Sequence, residues 1–339
     1  MIRSVTDEEN MAKTTPTAVG KCNILFCCIG RRVSLLKSFQ NAARQLKIKA
    51  LMLGTDTTPL SSALQLCDKS FLVKPVTHRD YLRQLLRIVK ANNVKLLVPT
   101  VDLDLKLLSR NKAKFAAMGC RVLVSEPNVI DICQDKRKTY RFLTKNGFDT
   151  PITMSSRTAL AKKSIKMPCF LKPWDGYASR GNAVVKNRKD LAFFAKKIPN
   201  AICQEFIDGT EFTCDAYVDF DMKVRCVVPR KRIQVRAGEV SKGQIVKNPL
   251  IMKQAAQLVQ KLNAGPGVIT IQLFLTPDKK IKFIEINPRF GGGAPLSIKA
   301  GADFPKWILS ELFAKKTNIR FDTFKDKLIM LRYDGEVWL

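Results

Sequence analysis

The chain has 339 residues, 46% of them hydrophobic, with 59 Lys and Arg against 29 Asp and Glu and a formal net charge of +30. That length buries a substantial core and suits two or three domains, while the charge favours anionic partners: nucleotides, phosphates, acidic substrates, nucleic acid or an anionic membrane. The basic residues are spread without a block of five or six and carry few aromatics among them, so specific nucleic-acid binding is not expected. A single histidine, His78, beside ten cysteines with no C-x-x-C pair argues against a zinc site or a histidine-based triad. Cysteines in apolar strand-like runs behave as small hydrophobes. With no secretory signal and no apolar run of membrane-spanning length, they point to the reducing cytoplasm.

Residues 1–20 are polar and read as a disordered tail, with the start, Met1 or Met11, left open. From Lys21 strands and helices alternate. Strands are expected near 23–29, 50–54, 95–98 and 121–125, and helices at 33–46, 81–91 and 103–118. This alternation implies a parallel sheet covered on both faces, so residues 21–127 form one α/β domain. The turn Gly30-Arg31-Arg32-Val33-Ser34 lacks the further glycines of a dinucleotide fingerprint. Arg31 and Arg32 either hold an anion at the helix start or lie in solvent. Asp56, Asp102 and Asp104 sit at carboxyl ends of strands, where such sheets bind ligands, or serve as caps and turns.

Beyond residue 127 the pattern changes. A helix is expected over 131–146, then short strands joined by glycine and proline turns, with later helices over 255–262 and 307–313. The stretch 168–185 reads as strand, polar turn and strand, able to offer phosphates backbone N–H groups over 178–181 and the charges of Lys172 and Arg180. It is not a P-loop, because no Gly-Lys-Ser/Thr occurs. The strand ending at Glu205-Phe206-Ile207 could present backbone groups to an adenine edge, with Glu211 placed for ribose hydroxyls. Arg230, Arg232 and Arg236 fall on one strand face, where planar guanidinium forks repel one another unless an anion neutralises them.

The runs 268–275 and 281–287, joined by Thr276-Pro-Asp-Lys-Lys280, read as a β-hairpin. Glu285 and Asn287 then project from one face about 7 Å apart. Folding back brings Gln272 within about one residue of lying opposite Glu285. Oxygen ligands so arranged suit a hard divalent cation beside substrate phosphates.

Taken in order, Asp135-Lys136, Lys172, the turn from Gly176 to Gly181, Gln204-Glu205-Phe206-Ile207, Glu211, Gln272 and Glu285-x-Asn287-Pro-Arg289 resemble the ATP-grasp superfamily. The likeness is to the carbamoyl-phosphate synthase large-subunit branch and its stand-alone carboxylate–amine ligases, over about residues 21–315. It implies an α/β fold, α+β in the C-terminal part: a Rossmann-like pre-ATP-grasp domain (21–127), then an ATP-grasp domain (128–315) with a β-hairpin lid subdomain near 150–205, and a C-terminal extension (316–339). It further implies ATP with Mg²⁺, or Mn²⁺ in its place. Lys136 and Lys172 become phosphate contacts; Gly176, Ser179, Arg180 and Gly181 the lid turn; Glu205, Phe206 and Ile207 the adenine hinge; and Glu211 the ribose ligand. Gln272, Glu285 and Asn287 become the metal ligands, with Arg289 facing the γ-phosphate and acyl-phosphate.

The expected activity is an ATP-dependent ligase, with Arg230, Arg232 and Arg236 holding the acceptor carboxylate or leaving phosphate. Its partners are a small carboxylate and an amine; no membrane or specific nucleic acid is expected, and homo-oligomerisation is open. Alternatives are a non-catalytic ATP-binding module or a carbamoyl-phosphate synthase-like activity, although one synthetase-like unit is present where that enzyme has two.

Overall fold

A computed structural model describes residues 21–176, 181–315 and 317–339. Strands β1 (Asn23–Cys27), β2 (Met52–Asp56), β3 (Lys69–Leu72), β4 (Val94–Pro99) and β5 (Arg121–Val122) form a parallel sheet in the order β3-β2-β1-β4-β5. Because side chains alternate across a strand, Ile24 and Phe26 of β1 enter one core while Leu25 and Cys27 enter another on the opposite face. Two-sided burial is why the inner strands β1, β2 and β4 are largely apolar.

Two expected helices are split. Asn111 divides residues 103–118 into Leu105–Arg110 and Lys112–Ala116, its side-chain amide donating back to the Leu107 carbonyl. Asp135 divides 131–146 into Pro127–Cys133 and Lys136–Lys145. Its extended backbone (φ −122°, ψ 107°) lets its carboxylate accept from the Arg137 and Lys138 amides, a start signal stronger than the apolar spacing running through it. The edge strand β3 and the four-residue helix Ser62–Gln65 lay outside the expectations.

A second, antiparallel sheet contains β6 (Thr153–Ser155), β7 (Cys169–Pro173), β8 (Ala183–Val185) and β9 (Ala201–Glu205) in the order β6-β9-β7-β8. It has its own small core of Ala159, Leu171, Val185, Leu191 and Cys203. The third sheet is antiparallel: β10 (Thr210–Val218), β11 (Val224–Arg236), β12 (Glu239–Ile245), β13 (Gly267–Leu275), β14 (Ile281–Asn287) and β15 (Ile329–Leu331), ordered β14-β13-β10-β11-β12-β15. One hydrophobic core joins this sheet to the first: Phe26, Phe39 and Phe290 meet edge to face at 5.2 and 5.9 Å between ring centres.

The hairpin between β13 and β14 closes where Thr276 and Lys280 pair, with Lys279 at φ +59°. From the turn, Leu275, Phe274 and Leu273 face Ile281, Lys282 and Phe283; the register then slips, so Gln272 pairs with Glu285 and Thr270 with Asn287. A bulge at Ile284 therefore reverses the phase of β14. Phe283 points into the core and Ile286 does so after the slip, leaving Glu285 and Asn287 on the other side. Among the described residues no helix is long and apolar enough to cross a membrane.

Candidate active site

A cavity of about 730 Å³ lies where the three sheets converge. Gln272, Glu285 and Asn287 line one wall. Lys136, the first residue of its helix, places Nζ 3.8 Å from Glu285 Oε1 and donates to the Gly176 carbonyl at 2.5 Å. Lys172, on β7, is 5% exposed. Burial drives its ammonium down to about 8, against the attraction of Glu285 and with Lys136 adding to the fall. One carboxylate and two amide oxygens, faced by two ammonium groups, are a donor set that fits a hard cation shared with an anionic substrate.

Also on the lining, Glu205 ends β9 with its carboxylate accepting from the Ile152 amide (3.1 Å) and from Lys282 of β14 (3.5 Å). Phe206 and Ile207 follow it along the cavity, and their backbone groups have no hydrogen-bond partner among the described residues. Gly176 lines the cavity and Gly181 sits at φ +72° against Pro173; Ser179 and Arg180 lie outside the described residues.

The arginine strand differs from expectation. Arg230 is buried and forms a two-pronged pair with Asp215 of β10 (2.8 and 2.9 Å), which also accepts from Thr270 and Ser297. Arg232 Nε stands 3.0 Å from Glu211 Oε1, off the line of a hydrogen bond, so Nε has no aligned acceptor among the described residues. Burial raises the Glu211 carboxyl above its ordinary value, with Arg232 opposing. Arg236 is not brought to the cavity. Register slips between Arg232 and Val235 break the alternation, and Arg236 ends exposed, paired with Asp334 at 2.6 Å. The three guanidinium groups are thus neutralised by three carboxylates of the chain itself, and only Arg230 and Arg232 line the cavity.

Arg289 is pinned by Asp102 of the parallel-sheet domain at 2.6 Å, while its buried Nε lacks a partner among the described residues. Of the three strand-end aspartates, only Asp102 reaches the cavity. Asp56 instead accepts from the Gly30 amide and Ser61, and Asp104 is buried behind Tyr81. Sequence reasoning missed Asp215, Glu239 and Arg332, whose only signal is an opposite charge on a neighbouring strand. Glu239 begins β12 and meets Arg332 at 2.9 Å and Arg31 and Arg32 at 3.4 Å each.

Residues 133–293 match the family described as ATP-grasp domain, and residues 24–123 match the PylC-like N-terminal domain. The chain thus carries an ATP-grasp domain behind a PylC-like N-terminal domain. Carbamoyl-phosphate synthase of Methanobrevibacter smithii is 21% identical over 224 residues, 61% of this chain and 60% of the relative; the chain thus spans less than two thirds of that protein. By structure, the chain resembles the biotin carboxylase domain of Hydrogenobacter thermophilus 2-oxoglutarate carboxylase, crystallised with MgADP and bicarbonate (TM-score 0.71, 14% identity, 90% of this chain and 73% of that one). It also resembles the L-amino acid ligase of Bacillus licheniformis (TM-score 0.69, 18% identity, 90% and 77%). These likenesses establish the fold: a parallel-sheet domain followed by an ATP-grasp fold.

Proposed function

We propose that the protein is an ATP-dependent ligase that activates a substrate carboxylate as an acyl-phosphate and transfers the acyl group to an amine or similar nucleophile, forming a C–N bond. The carrying observation is the convergence on one cavity of Gln272, Glu285 and Asn287 with Lys136, Lys172 and Arg289. A carboxylate oxygen attacks the γ-phosphorus and the bond to ADP breaks; the amine then attacks the acyl carbon, loses a proton, and phosphate leaves. Such chemistry needs alignment and charge neutralisation more than a histidine base. Lys136 and Lys172 hold the phosphates, Glu205 to Ile207 border the adenine through their free backbone edge, and Glu211 takes the ribose. Arg289 stabilises charge at the transferring phosphoryl group, and Arg230 and Arg232 stiffen the wall behind it. Gln272, Glu285 and Asn287 would hold Mg²⁺ or Mn²⁺, which supplies charge neutralisation at the phosphates.

The reading takes 21–127 and 128–315 as the two working domains, 150–205 as the lid and 316–339 as an extension. Its partners are a small carboxylate and an amine, and its setting is the cytoplasm. ADP release with Mg-ATP across panels of carboxylates and amines tests it. Glu285→Gln is expected to abolish the thermal stabilisation that Mg-ATP gives the unaltered protein. Stabilisation by Mg-ATP without ADP release from any panel would favour a non-catalytic ATP-binding module.

A further inference from the structure

Around Arg289 the cavity gathers more positive charge than the proposed reaction uses. Arg31 and Arg32, from the loop after β1, reach it beside Arg289, while Arg332, just beyond β15, lies behind Glu239 and donates to the Gly292 carbonyl. Among the described residues two carboxylates, Asp102 and Glu239, form the ion pairs of these four guanidinium groups; the nearby Asp334 is paired with Arg236. The Arg32 and Arg289 side chains are largely buried, 19% and 14% exposed, so water screens the excess charge only in part. Burial lowers the Arg32 value; Glu239 opposes this and Arg289 and Arg332 reinforce it. Burial pushes the Glu239 carboxyl up, but Arg32, Arg332 and Arg31 together hold it below the usual carboxylate range. The buried Arg289 Nε has no partner among the described residues. A Cβ on Gly292 would come within 2.8 Å of both Arg32 and Glu239, so a residue without a side chain keeps this corner open.

We propose that this corner is a subsite for a second anionic group on the acceptor, so that the acceptor carries one carboxylate to be activated and another carboxylate or a phosphate to be held by Arg31 and Arg32. The proposal rests on the ligase reading for which end of the acceptor reacts. Guanidinium forks match both kinds of anion. Glu239 serves as the internal counter-ion of the empty subsite, and the entering anion competes with it for Arg32. Arg31 and Arg32 belong to the domain outside the ATP-grasp fold, so acceptor choice is divided between two domains.

Binding is measured calorimetrically, without nucleotide, using acid and amide partners of equal size: aspartate and asparagine, glutamate and glutamine, succinate and succinamate. O-phosphoserine against serine forms a phosphate arm. At least one acid is expected to bind about ten- to a hundredfold more tightly than its neutral partner, the worth of one or two charged hydrogen bonds. Arg32→Gln should remove that preference and the more exposed Arg31→Gln should weaken it, the latter guarding against misfolding of the former. Glu239→Gln should tighten acid binding by about tenfold, because it removes the competitor. An acid preference confined to the phosphate arm assigns the subsite to phosphorylated acceptors. The proposal is overturned if no pair shows an acid preference, or if the preference survives both arginine changes. Mg-ATP is titrated in parallel: a nucleotide response without acid preference sinks the subsite alone, and the reverse sinks the ligase reading alone.

Discussion

Lys172 is a buried ammonium held near its titration point, and its chemistry is set by what enters the cavity. Its folded-state value of about 8 lies below the ordinary 10.5, so between those values the folded protein carries fewer protons than the unfolded chain and stability rises with pH through that window. A polyphosphate reverses the local balance by favouring the ammonium. Mg-ATP binding at pH 8.5–9 is therefore expected to take up a proton, visible as a dependence of the calorimetric heat on buffer ionisation enthalpy that Lys172→Met removes. Asp104 shows the opposite sign. Burial lifts its carboxyl from 3.8 to about 7, and Tyr81 donates to it at 3.3 Å. Between about pH 4 and 7 the unfolded chain holds fewer protons, so this group makes stability fall as pH rises. Asp104→Asn should flatten that part of the denaturation profile and raise stability at pH 8 by a few kcal/mol at most. The pair Arg230–Asp215 is more consequential for folding, since both partners are buried. Arg230→Met should cost about 3–5 kcal/mol in urea denaturation because it strands the Asp215 charge, and Arg230→Met with Asp215→Asn should recover part of that loss.

At the scale of elements, the hairpin carrying the proposed metal ligands was legible because its apolar runs, turn residues and Glu-x-Asn spacing are all local. The bulge was not. Strict alternation places Phe283, Glu285 and Asn287 on one face, yet Phe283 is in the core and Glu285 in the cavity. One unpaired residue, Ile284, separates those outcomes, and nothing in the composition of β14 announces it. A similar slip explains Arg236: its parity with Arg230 and Arg232 is real in sequence and lost in the ladder. Nor could the sequence reveal that each arginine meets a carboxylate, because Asp215 and Glu211 come from β10 and Asp334 from the end of the chain. The Asp135 cap was legible in principle; a helical apolar spacing continuing through 131–146 hid it.

At the scale of the whole molecule, the parallel sheet was evident from strand–helix alternation, but its union with the third sheet was not, because Phe26, Phe39 and Phe290 are distant in sequence. The polar counterpart of that union is Asp102 gripping Arg289 across 187 positions of chain. Asp102→Asn is expected to lower ADP release by about ten- to a hundredfold, the equivalent of one charged hydrogen bond, while leaving Mg-ATP affinity near its original value. Parallel turnover and nucleotide-binding measurements check this, and equal losses in both would mean that Asp102 supports the nucleotide site itself.

The Asp102–Arg289 contact also bears on how such proteins can be recombined. An ATP-grasp fold grafted onto a different leading domain keeps its proposed nucleotide wall, but inherits whatever residue the new domain places beside Arg289. Without a carboxylate there, a mostly buried guanidinium would seek another acceptor and swing from its station. Exchange between relatives should therefore succeed most often when the two domains travel together, or when the junction carries its aspartate along.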